Sequence, residues 1–113
     1  MSQQELTFAE EQAYQLSQAA IRLDQARQDR SDLAALAAAL ENNLETWVAL
    51  KTVLTSDACQ LAAAVKENIT RLAAFVADRT FQGVEAIEDA TIDALINVNL
   101  QISEGLLEGS AKK

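Results

Sequence analysis

Two kinds of side chain in this sequence could do chemistry. Cys59 is the one thiol, and it stands two residues after Asp57. A helix start there would lower the thiol pKa, while the neighbouring carboxylate would oppose that shift. Adjacent carboxylates occur at Glu10–Glu11 and at Glu88–Asp89. Consecutive residues on a helix point about 100° apart, so neither pair converges on a common substrate atom. What is missing decides more. There is no histidine, which removes the usual base near neutral pH and the commonest metal ligand. A Ser-His-Asp triad, a Cys-His pair and a histidine-bound zinc are therefore excluded within this chain. So are the Glu-x-x-His pairs of a di-metal carboxylate bundle. No P-loop, EF-hand loop or G-x-G-x-x-G run is present. A single cysteine cannot close an internal disulfide, which fits a reducing compartment. The residue types predict a protein that is not an enzyme and carries no metal or cofactor.

Charge narrows the partners. The 113 residues include 17 acidic and 9 basic ones, for a formal charge of -8. Neutralising a phosphate backbone needs clustered Lys and Arg, so direct nucleic-acid binding is not expected. The acids are unevenly placed. Glu85, Glu88, Asp89, Asp93, Glu104 and Glu108 lie between Thr80 and Ala111, where there is no basic residue. Such a segment repels nucleic acid and discourages self-association. The longest apolar run is the eight residues Leu33 to Leu40, far below the roughly 20 that span a bilayer. The polar start, Ser2 to Glu5, offers no signal-peptide core. A cytoplasmic protein without membrane contact is the expectation.

The elements that would position these residues are helical. Half the chain is hydrophobic, alanine and leucine abound, and proline is absent, a composition that favours helix. Apolar residues recur at alternating spacings of three and four, which places them on stripes. The stripes predict an all-α fold, a compact bundle of about four helices at approximately 7–29, 32–55, 57–88 and 91–107, forming a single domain over 1–113. Thr7 and Glu10 form a capping box for the first helix, and Ser31 and Asp32 are good N-cap residues for the second. The first stripe is Leu6, Ala9, Ala13, Leu16, Ala20 and Leu23. The second is Leu33, Leu36, Leu40, Asn43, Trp47, Leu50 and Leu54. The third is Leu61, Val65, Ile69, Leu72 and Val76, with Phe75 beside it. The third helix could stop at Gly83, but Val84 and Ile87 keep that pattern past it, so continuation to about Glu88 is expected. The fourth stripe is Ile92, Leu95, Asn99, Ile102 and Leu106.

Asn43 and Asn99 stand in seams that leucine would fill more stably. A buried asparagine typically fixes register or pairing at some cost in stability. Trp47, the only tryptophan, is expected to anchor the core between helices, or to serve as a binding hot spot. Tyr14, Phe8, Phe75 and Phe81 are too scattered for a base-stacking platform. A second apolar row, Ile96, Leu100 and Leu107, lies beside the stripe of the fourth helix. Two rows imply either a central position or a groove for another chain. Ile96, Leu100 and Leu107, with Phe81, are the candidate partner-binding residues.

Three blocks suggest a relationship. Ala39 to Trp47 reads A-L-x-x-N-x-x-x-W. Leu61 to Thr80 reads L-A-x-x-V-K-x-x-I-x-x-L-x-x-F-V-x-x-R-T. Leu95 to Leu106 reads L-I-x-V-N-x-x-I-x-x-G-L. In this order, with Asn43, Trp47, Phe75, Val76, Thr80, Asn99, Gly105 and Leu106 in place, the chain resembles the FlaF family of bacterial flagellar biosynthesis regulators. Ala13 to Leu23 is similar to the first helix of that family. Ala62 stands where the family usually has proline, and Arg79 where histidine is usual. The resemblance implies a small helical cytoplasmic protein needed for flagellin production or export. It implies flagellin as a partner, in the manner of a secretion chaperone, and action alongside FlbT, a regulator of flagellin messenger RNA. The readings to be separated are a flagellin-binding chaperone, an adaptor for a FlbT-like regulator, and a homodimeric helical module.

Overall fold

The computed structural model describes residues 8–54 and 63–111. Four helices follow one another: α1 (Phe8–Arg27), α2 (Leu33–Leu54), α3 (Ala63–Thr80) and α4 (Asp89–Ala111). No strand occurs among the described residues, and the all-α bundle expected from the apolar stripes is the observed architecture. The Thr7 cap, Asp57, Cys59, Leu61 and Ala62 fall outside the described residues.

The start of α2 follows from one side chain. Asp32 Oδ1 accepts the backbone N–H of Ala35 at 3.1 Å, satisfying one of the first-turn donors that a helix leaves unpaired. Ser31 serves the preceding turn instead. Its hydroxyl and its backbone N–H both donate to Asp29, and they hold that carboxyl below its ordinary pKa.

The end of α3 corrects the expected continuation to about Glu88. The helix stops at Thr80, and Gly83 adopts a φ of +93°. No helix passes through that conformation, and side chains with a Cβ rarely adopt it. The Gly83 carbonyl then accepts from the N–H groups of Ala86 and Ile87, and this turn drops Ile87 into the core. Val84 and Ile87 kept a helical spacing because a tight turn also returns its residues to one side. Within α3, Val65 is exposed rather than inward, as is Leu33 at the start of α2, while Ile69 and Val76 are buried.

The core is one cluster drawn from all four helices and from Ile87. Packing between α1 and α4 is the most extensive; α1 also packs on α2, α2 packs on α3, and α3 only grazes α4. Ala13, Ala19 and Ala20 are buried on α1, and such small residues let a neighbouring helix approach closely. The α1–α4 pair is antiparallel. Ser103 bonds to Ala13 and Ser17, and Asn99 bonds to Leu16. At the other end Arg27 pairs with Asp93, and Arg30 pairs with Asp89. Arg30 also donates to the Ile87 carbonyl at 2.7 Å, tying the end of α1 to the turn before α4.

Both seam asparagines are fully buried, and they belong to one network. Trp47 Nε1 donates to Asn99 Oδ1 at 2.8 Å. Indole can only donate, so Asn99 must turn its oxygen toward Trp47 and its amide away. That amide donates to Asn43 Oδ1 at 2.7 Å and to the Leu16 carbonyl at 3.0 Å. Asn43 must therefore present its oxygen, which leaves its own Nδ2 buried without a partner among the described residues. One side chain of α4 thus holds α1 and α2 together.

These contacts set two pairs of expected outcomes, read by urea unfolding. Asn99→Leu orphans the indole N–H and loses three bonds, so it destabilises by about 2–4 kcal/mol. Asn43→Leu removes an amide that is already unsatisfied but also the acceptor of one buried Asn99 N–H, so it costs about 1–2 kcal/mol, less than Asn99→Leu. Gly83→Ala destabilises by about 1–2 kcal/mol, because alanine is strained at positive φ. Gly105→Ala stabilises by about 1 kcal/mol, since a Cβ there meets nothing within 4 Å and alanine is the better helix former.

Candidate protein-binding surface

Among the described residues there is no group of three His, Cys, Asp or Glu side chains able to hold a metal ion. No described helix is long and apolar enough to cross a membrane. The surface features that remain are apolar. Leu100 and Leu107 are 46% and 45% exposed on α4. They stand seven residues apart, about 10.5 Å along a helix, and both line an open hollow of about 410 Å³. Asn97, Gln101, Ser103 and Glu104 complete its lining. The hollow is therefore an apolar strip between two leucines, with polar groups at its edge and one carboxylate.

The other two candidates go elsewhere. Ile96 is partly buried and packs against the core, so the second row of α4 contributes two leucines and not three residues to this surface. Phe81 is 77% exposed in the turn after α3 and does not line the hollow.

The motif residues sort by burial. Asn43, Trp47, Asn99, Val76 and Leu106 are buried. Phe75 is partly buried against the core, and the Arg79 guanidinium lies 5.2 Å from its ring centroid, within cation–π range. The Arg79 side chain thus covers an aromatic ring. The Thr80 hydroxyl is buried without a partner among the described residues. Gly105 is exposed on α4 and packs against nothing.

One residue of the site escaped the sequence reading. Ser103 is buried and donates to the Ala13 carbonyl at 3.0 Å. Its only proton is used there, so the 3.0 Å contact between the two serine hydroxyls has Ser17 as donor. The available signal was spacing. Ser103 follows Asn99 by four residues and precedes Leu106 by three, so it continues the seam.

The acidic segment is partly neutralised by the fold. Asp93 is paired with Arg27 at the end of α1, and Asp89 with Arg30 in the turn that follows α1. Glu104 and Glu108 lie on the exposed side of α4 near the hollow, and α4 carries no basic residue to offset them.

No curated relative and no solved structure matches the chain. A family model described as flagellar protein FlaF does match, over residues 2–106. That span includes the Trp47–Asn99–Asn43 network, the exposed leucine Leu100 and the serine floor of the hollow. The chain belongs to the flagellar protein FlaF family.

Proposed function

We propose that this protein is a non-catalytic, cytoplasmic, flagellin-binding chaperone that supports flagellin synthesis and secretion during flagellum assembly. It holds an amphipathic flagellin helix in the apolar strip of α4, as helix-in-groove binders do. Family membership supplies the flagellar context. The observation that carries the mechanism is the pair Leu100 and Leu107, left half-exposed on a helix whose other apolar side chains fill the core. The charge of -8 favours a protein partner over RNA.

Magnitudes bound the surface. Burying the exposed half of the two leucines contributes about 1.5–3 kcal/mol. Association costs an estimated 4–15 kcal/mol in lost translational and rotational freedom. The two leucines cannot hold a partner by themselves, so the bound helix must touch more of this protein than α4 alone.

A specific observation favours a second surface. Phe81 stands clear of the hollow and is the most exposed large apolar side chain described. An adaptor that engages a FlbT-like regulator would use it.

Copurification with unassembled cognate flagellin separates the readings. The full chain retains flagellin, and Leu100→Asp combined with Leu107→Asp lowers retention at least about tenfold. The unfolding midpoint changes little, because both residues are surface side chains. Phe81→Ala leaves flagellin retention unchanged. If the protein retains a FlbT-like regulator and no flagellin, the adaptor reading replaces the chaperone reading.

A further inference from the structure

The hydrogen-bonded serines Ser17 and Ser103 mark a place where α1 and α4 face each other through small side chains. Positions three before and four after a helical residue are its neighbours on the same face. On α4 those positions around Ser103 are Leu100 and Leu107. On α1 the same positions around Ser17 are Tyr14 and Ile21. Tyr14 is 55% exposed and Ile21 is 48% exposed. Four of the large exposed apolar side chains therefore stand at the corners of one serine pair. Small residues between two such ridges leave a valley, and each ridge presents its two anchors two turns apart.

The described charges of α4 at the Leu107 end of this valley are acidic: Glu104 lines the hollow, and Glu108 follows Leu107. At the other end Arg27 is paired with Asp93, and Arg22 stands exposed beside Ile21. A second copy would bring the same acidic rim against itself, which is unfavourable. A helix with an apolar stripe and basic flanks meets both the leucines and the carboxylates.

We propose that the α1–α4 valley, with Tyr14 and Ile21 on one side and Leu100 and Leu107 on the other, is the docking groove for an amphipathic partner helix flanked by Lys and Arg. This rests on the helix-in-groove reading of α4 and extends it to α1 and to the charge of the partner. The partner helix lies along the serine seam with its apolar stripe down. Its basic flank faces Glu104 and Glu108.

Two synthetic 18-residue helical peptides with the same leucine stripe, one flanked by lysines and one by glutamates, test this by fluorescence anisotropy on the full chain. The lysine peptide binds at least about tenfold tighter, and its affinity falls as salt shortens the screening length. Tyr14→Asp and Ile21→Asp each weaken it at least about fivefold, while Val48→Asp, an exposed change on α2, leaves it within about twofold. Circular dichroism and thermal unfolding of each variant confirm that it is folded. Equal binding of the two peptides, or binding untouched by the α1 substitutions, overturns the proposal. A dimer in light scattering that Tyr14→Asp dissolves also overturns it, because a second copy then occupies the groove. Cognate flagellin retained by both α1 variants would overturn the extension to α1 and leave the α4 reading standing. Absence of binding by flagellin and by both peptides removes both.

Discussion

An indole N–H buried without an acceptor costs about 1–3 kcal/mol, and Trp47 is fully buried. Much of this bundle follows from how that proton is satisfied. Among the described residues Asn99 accepts it, and doing so fixes which way the Asn99 amide faces. The amide then selects the Asn43 oxygen on α2 and the Leu16 carbonyl on α1. A slip of one residue in α4 would turn Asn99 about 100° away from all three partners. Leucine at the same place would tolerate such a slip, because dispersion contacts have no direction. The network therefore sets register where an apolar seam would only set proximity. The unpaired Asn43 amide is the cost of that arrangement.

Register in turn places the α1–α4 seam. With Asn99 fixed on Leu16, Ser103 falls beside Ala13 and Ser17 one turn further on. The alanines of α1 allow close approach there, and the serines cap the seam with polar groups that satisfy each other. The larger side chains on either flank are left facing solvent. The exposed rows of α1 and α4 are thus a by-product of the same register that buries the tryptophan. The arginine pairs at the far end hold the opposite edge of the seam.

Most of the elements were legible from spacing. The stripes found the helices, and the asparagines stood out because a seam position is normally apolar. The end of α3 was ambiguous: Gly83 offered a stop, but Val84 and Ile87 repeat at a helical spacing that a turn about Gly83 also produces. The valley was not legible either. Tyr14 and Ile21 lie more than seventy residues from Leu100, and periodicity within one helix carries no information about which other helix it faces. Ile96 was assigned to the exposed row on α4 because one helix alone cannot say how far its neighbour wraps around it.

The pairing of α1 with α4 also orders events in time. It is the most extensive helix–helix packing described and joins the first described helix to the last. Long sequence separation between contacting residues slows folding, because the loop must close before the contact rewards it. Translation adds residues at about 5–20 per second, so α1 waits several seconds on the ribosome before α4 exists. During that interval the apolar face of α1, and the indole of Trp47 with it, have no completed partner. The buried network therefore closes only after nearly the whole described length has been made. A truncated product that lacks α4 lacks the acceptor of the Trp47 indole.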